Sequence, residues 1–133
     1  MGVQMKYILT ATLLIIGQAL WADQFAEGQK AVDDGNYQLG YTLLSPLAKQ
    51  NNAEAQYIIG RILAEKLIEN ADPKKGIIWL EKATENRHMQ AAQTLGRMYL
   101  SGFGVPLDTD KGAHYLALAE EFRPEDEPEE ECD

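Results

Sequence analysis

The stretch SGFGVPLDTDKG, residues 101–112, holds the residue types that come nearest to chemistry in this chain: three glycines, two aspartates and Lys111. A glycine-rich loop cradles phosphate when its backbone N–H groups converge on the anion and a Gly-Lys-Ser or Gly-Lys-Thr ending opens a helix behind a strand. Here Lys111 is followed by Gly112 rather than a hydroxyl residue, and no strand pattern precedes the loop. Phosphate binding therefore fails on both sequence and context. The glycines suit a long turn between two helices, with Pro106 stiffening its exit and Asp108 capping the helix behind it.

The other reactive groups lack the company that catalysis or metal binding needs. His88, in ENRHMQ, falls at a predicted turn, and His114 stands beside Tyr115; no second histidine sits at the i, i+4 spacing of a metal pair. No Gly-X-Ser-X-Gly or His-Glu-X-X-His run occurs. Cys132 is the only cysteine, so no disulfide can form within the chain, and its carboxylate neighbours disfavour the reactive thiolate. Carboxylates are plentiful, but nothing indicates an apolar pocket that would raise one of them into a general acid. The sequence thus predicts no catalytic residue, no metal and no cofactor, and a hydrolase is the least favoured reading.

The two ends differ from the body. The opening MGVQMKYILTATLLIIGQALWADQ has a cation at Lys6, an apolar run over 7–16 and small residues at Gly17, Ala19 and Ala22. That is the layout of a secretory signal peptide, expected over 1–22 and cleaved after Ala19 or Ala22; the run is too short to span a bilayer as a lone helix. Export to a periplasm or beyond is the expectation, without stable membrane insertion once the leader is gone. At the other end, EEFRPEDEPEEECD, residues 120–133, has nine acids against one Arg123 and almost nothing to bury, so a disordered acidic tail is expected there. The whole chain of 133 residues carries 12 basic and 21 acidic residues, net −9. With most of that charge in the tail, the body over 23–119 is nearly balanced and offers no basic footprint for nucleic acid.

The body is a repeat. Residues 55–83 lie over residues 91–119 without a gap, at a shift of 36 residues: Ala55 on Ala91, Gly60 and Arg61 on Gly96 and Arg97, Asp72 on Asp108, Lys75 and Gly76 on Lys111 and Gly112, Trp79 on Tyr115, Ala83 on Ala119. Gly40 stands another 36 residues before Gly76, but Gly28 precedes Gly40 by 12 residues where the later pairs are 16 apart. A first unit with a shorter connection follows, its turn at Asp34, Gly35 and Asn36. Caps at Asn52, Asp72 and Asp108, with Pro73 in a first turn, predict helices near 23–34, 37–50, 53–69, 73–86, 89–101 and 109–122. Each glycine costs a helix about 1 kcal/mol relative to alanine, and close approach of paired helices is the expected compensation. The fold class read from this pattern is all-α, with about three antiparallel helix pairs stacked as a short α-solenoid.

The unit over 91–119 resembles a Sel1-like repeat, a relative of the tetratricopeptide repeat. Ala91, Leu95, Gly96, Tyr99, Gly102, Gly104, Val105, Asp108, Lys111, Tyr115 and Ala119 stand at the places of that pattern, with Gly112 where alanine is usual. The unit before it keeps Ala55, Gly60, Asp72, Lys75, Trp79, Lys82 and Ala83 but has EKLIENA in place of the glycine-rich loop. The first unit matches only through Gly28, Gly35, Tyr37 and Gly40. The paired cysteines of relatives linked to β-lactam chemistry are missing here. The resemblance implies core packing for Trp79, Tyr99 and Tyr115, and an inner curve lined by the first helix of each unit. With Gly60 turned to its partner helix, Glu54, Tyr57, Arg61 and Glu65 share one arc, and Gln90, Gln93, Arg97 and Ser101 occupy the same arc one unit later. Tyrosine and arginine are types that anchor interfaces, so Glu54, Tyr57, Arg61, Gln90, Gln93 and Arg97 are the candidate partner-binding residues. The expected role is a non-catalytic interaction module for a protein or peptide, with an immunity-type inhibitor of a secreted hydrolase as the alternative. Three units are a minimal stack, so pairing with a second copy is also expected.

Overall fold

A computed structural model of the chain describes residues 20–124. Six helices follow one another there: α1 over 20–33, α2 over Tyr37–Lys49, α3 over Ala53–Ala64, α4 over Pro73–Glu85, α5 over Met89–Ser101 and α6 over Thr109–Glu121. No strand occurs among the described residues. The helices α3 and α4 pack together, as do α5 and α6, while α2 on α3 and α4 on α5 join successive pairs, so the chain is an all-α helical-repeat solenoid. The leader expected over 1–22 lies outside the described residues up to position 19, and residues 20–22 open α1. Of the tail expected over 120–133, Glu120 and Glu121 close α6, and residues 125–133 lie outside the described residues.

Short polar side chains start the helices. The side chains of Asn36, Asn52, Asp72, His88 and Asp108 each accept a backbone N–H two or three residues on, which satisfies one of the donors a helix start leaves open. A second recurrent device ends them. Gly35, Asn51, Lys66 and Arg87 follow the ends of α1 to α4 at positive φ of 80°, 69°, 55° and 60°. In each case that residue and the next return their N–H groups to carbonyls of the last turn, as in Lys66 to Leu63 at 3.3 Å and Leu67 to Ile62 at 3.0 Å. This terminator stops α3 at Ala64, five residues before the expected end near 69, because Lys66 takes the left-handed conformation without the glycine that usually announces it. At three corners the residue after the left-handed one is itself the next cap: Asn36, Asn52 and His88 serve both ends.

Within each unit the two helices touch backbone to backbone. A Cβ built on Gly76 would run into the Ala64 amide and stand 2.7 Å from the Gly60 carbonyl oxygen, so the crossing of α3 and α4 requires glycine at that point. The loss of helix propensity is thereby offset by close approach. Above and below the crossing, Leu44, Leu47 and Ala48 of α2 bury Ala55, Ile58, Ile59 and Ile62 of α3, and Ile77, Leu80 and Ala83 of α4 bury Ala91, Leu95 and Met98 of α5. Tyr99 is buried in the second cluster and stacks on Tyr115 with ring centroids 5.7 Å apart; Trp79 packs partly buried on the first cluster. All three aromatics therefore pack as the repeat pattern implies.

The corners carry a polar clamp. Gln56, 2% exposed, donates from Nε2 to the Ala48 carbonyl at 3.1 Å and to Asn51 Oδ1 at 3.2 Å, while Asn86 Nδ2 donates to Gln56 Oε1 at 2.8 Å and to Asn51 Oδ1 at 2.9 Å. These bonds tie the end of α2 to the end of α4. One unit on, Arg87 reaches Glu121 Oε1 at 3.2 Å and lies over the Phe122 ring, 4.7 Å from its centroid, tying the end of α4 to the end of α6.

Alanine at Gly76 has three backbone atoms in its way at under 3.0 Å, whereas alanine at Gly96 meets chiefly the flexible Leu116 side chain, with the Gly112 carbonyl oxygen at 3.2 Å. Gly76→Ala should destabilise by about 1–3 kcal/mol, and Gly96→Ala should stay within about 1 kcal/mol of the parent, in denaturant unfolding. Equal losses would show that the crossing does not depend on the α3–α4 backbone contact. Burial, with the nearby Glu81 and Tyr99, pushes the Tyr115 phenol up to about 12 from an ordinary 10.0. A raised folded-state value contributes stability that is complete below about pH 10 and is lost as pH climbs through about 12. The parent should therefore lose stability relative to Tyr115→Phe between those limits; parallel stability curves for the two proteins would refute this.

Candidate functional site

The arc read from the sequence lies on α3 and α5, the first helices of their units. On α3, Ala55, Ile59 and Ile62 point into the core, which leaves Glu54, Tyr57, Arg61 and Glu65 to the other side. These four are already engaged with one another and with their surroundings. The Arg61 guanidinium donates to Glu65 at 3.0 and 3.3 Å and stands 5.8 Å from the centre of the Tyr57 ring. Its hydrogen bond to Glu65 raises its pKa above the ordinary arginine value, against the lowering effect of partial burial, so it is a permanent cation. The Tyr57 ring is half-buried, packs against both core clusters, and stacks on His88 at 4.6 Å between centroids.

His88 holds that corner through both ring nitrogens. Nδ1 accepts the Ala91 N–H at 3.2 Å as the cap of α5, and Nε2 lies 2.8 Å from Glu54 Oε2, with the side chain 8% exposed. Both bonds form together when the neutral ring carries its proton on Nε2. The contact between Glu54 and His88 crosses from one unit to the next, so Glu54 and Tyr57 help fix α3 against the start of α5. Ile58, next to Tyr57 in the chain, is 8% exposed and belongs to the core between α2 and α3, because the α2 leucines cover its side of the helix.

One unit later the same four positions hold Gln90, Gln93, Arg97 and Ser101. Gln93 stands where Tyr57 stood and Ser101 where Glu65 stood, so Arg97 has neither the ring nor the carboxylate that occupy Arg61. Among the described residues Arg97 makes no hydrogen bond or ion pair. It lines a hollow of about 210 Å³ between α3 and α5 with Arg61, Glu65, Thr94, Met98 and Phe103. A second hollow of about 180 Å³ lies between α1 and α3 and takes in Gln29, Asp33, Tyr37, Glu54, Tyr57 and, again, Arg61. Arg61 thus stands between two hollows on the first-helix side. Neither lining includes Gln90 or Gln93; Gln90 is exposed, and Gln93 is half-buried.

Phe103 was not part of the sequence-derived set. It sits in the glycine-rich turn, 60% exposed, between Gly102 and Gly104 at φ of 70° and 73°. An aromatic between two glycines of a turn is the signal that marks it, since no core position is available there. Gln29 and Asp33 were missed for another reason: α1 has the shorter connection and does not follow the 36-residue shift. The arrangement as a whole is suited to recognition. It combines two guanidinium groups, the Glu65 carboxylate and an exposed ring with hydroxyl groups at Thr94 and Ser101. Among the described residues, no group of three or more His, Cys, Asp or Glu is placed to hold a metal ion.

Comparison with known families matches the Sel1 repeat to residues 53–88 and 90–121. The boundary between the two matches falls at the corner of α4 and α5, so each match contains one first helix and one second helix joined by the longer connection. The glycine crossings at Gly60 with Gly76 and at Gly96 with Gly112 lie inside them, and α1 and α2, with their shorter glycine spacing, lie before both. From the shared crossing, the shared caps and the matched segments together, the chain belongs to the Sel1 repeat family.

Proposed function

We propose that this protein is an exported, non-catalytic adaptor that binds a protein or peptide on the side formed by the first helices of its units. Repeats of this family mediate protein–protein interaction. The observation that carries the local assignment is Arg97: a cation without a partner among the described residues, beside the exposed Phe103 ring and the hollow between α3 and α5. Arginine and aromatic side chains in a partly enclosed setting are the residues that dominate interface energetics. Recognition centres on Arg97 and Phe103, with Arg61 as the link to the second hollow. The Tyr57 and Glu54 pair supports the surface from behind by holding α3 to His88. Export is supported by the leader pattern over 1–22, and a bacterial periplasm is the setting we favour.

Cross-linked capture from the native envelope tests this reading, with the parent protein run beside a form ending at Phe122 and a form carrying Arg97→Glu with Phe103→Ser. The parent and the shortened form should capture the same partner, and the double variant should bind it at least about tenfold more weakly while keeping the parental melting temperature. Equal capture by the double variant would place recognition away from α5. Loss with the shortened form alone would assign recognition to the acidic residues after Phe122.

A further inference from the structure

The two ends of the described stack are chemically different. On α3, Ala55, Ile58, Ile59 and Ile62 are buried under α2. Gly28 of α1 meets Leu44 as Gly60 of α3 meets Leu80, which fixes the equivalence of the two helices. By that equivalence the same four places on α1 are Asp23, Ala26, Glu27 and Lys30, all exposed, so this end of the stack is closed by charge. At the other end, Ala64, Ile77 and Leu80 are 4%, 8% and 0% exposed because α5 covers them. Their counterparts 36 residues on are Leu100, Ala113 and Leu116. Leu100 and Leu116 are 40% and 38% exposed and Ala113 is exposed, with Ala117 beside them, and nothing among the described residues covers them. Residues 125–133 hold seven carboxylates beside Pro128 and Cys132 and so offer them little apolar surface.

We propose that this face of α6 is covered by the same face of a second copy, related by a two-fold axis near Leu116. Head-to-tail stacking would bury Asp23, Glu27 and Lys30 against leucines, a desolvation that nothing repays. The isologous arrangement avoids that burial and matches charge. With a rise of about 1.5 Å per residue, Asp110 lies about 9 Å before Leu116 along α6, and Arg123 stands just past the helix end at Glu121, on the other side of Leu116. An antiparallel crossing at Leu116 therefore brings Asp110 toward Arg123 of the other copy, twice, with Leu116 and Leu100 between the two pairs. Arg123 is held at 2.8 Å from Glu120 within its own chain, which presents its guanidinium at that edge. The first-helix side, with Arg97 and Phe103, stays outside the contact, so the pair presents two recognition surfaces.

Sedimentation equilibrium of the full chain, with Cys132→Ser to remove chance disulfides, decides the proposal. The expected result is a reversible monomer–dimer equilibrium that Leu116→Glu abolishes at unchanged helicity. If Leu116→Glu does not fold, the charge variants decide: Asp110→Arg should weaken the dimer by about three- to tenfold, and Asp110→Arg with Arg123→Asp should restore it. A monomer at every concentration, growth beyond the dimer, or a dimer indifferent to all of these changes overturns it.

Discussion

Contact between the backbones of α3 and α4 at Gly60 and Gly76 is the constraint on which the rest of the unit depends. Helices that meet through side chains lie about 8–10 Å apart, and glycine at the crossing brings them to the near end of that range or closer. Little volume then remains between them, which is why Ala55, Ala64, Ala83, Ala91, Ala92 and Ala119 fill so much of the interior. Alanine buries little area, so a single pair gains little from its own closure. The larger apolar side chains, Leu44, Ile59, Ile62, Leu80 and Leu95, are fully buried only because a neighbouring pair lies against them. Close approach within a unit thus makes stability a property of the stack.

Stacking then needs corners that do not slip. Each connection between units is made by one left-handed residue followed by a cap, Asn51 with Asn52 and Arg87 with His88, which leaves the chain little freedom in direction. The side chains at these corners also bridge units, Asn51 to Asn86 and Arg87 to Glu121. The clamps lie at one end of the second helices. The first helices α3 and α5 meet instead through Tyr57, His88 and Glu54, so these two units are tied on both sides of their crossing points, and the surface between α3 and α5 is held in a fixed shape.

Much of this was legible in the sequence because glycine, aspartate and proline act locally. The 36-residue shift fixed which residues face the partner helix, and Asn52, Asp72 and Asp108 cap the helices they were expected to cap. What escaped was the work of residues with no local signature. Lys66 ends α3 in a conformation that glycine or asparagine more often supplies, so the helix read long. His88 caps α5 although histidine is not a habitual cap, and it does so because Glu54, 34 residues away, fixes its other nitrogen. The site divides in the same way. The arc of α3 and α5 followed from helical periodicity, while the engagement of Tyr57 depends on a ring that arrives from the next unit, and Phe103 comes from a turn that periodicity does not describe.

Arg61 and Arg97 make the separation of support from recognition concrete. They occupy one repeat position and differ only in company. Arg61 has Glu65 one turn on and Tyr57 one turn back, and its charge is largely answered within α3. At Arg97 the corresponding residues are Ser101 and Gln93, neither of which can neutralise a cation. A charge left open on a surface is well hydrated and costs the fold little, and on the proposed reading a partner's carboxylate would answer it. Replacing the company of one arginine therefore changes how far its charge is answered without altering the backbone that carries it. In a repeat array this is a physical route by which related units hold the stack in one place and leave a charge open in another.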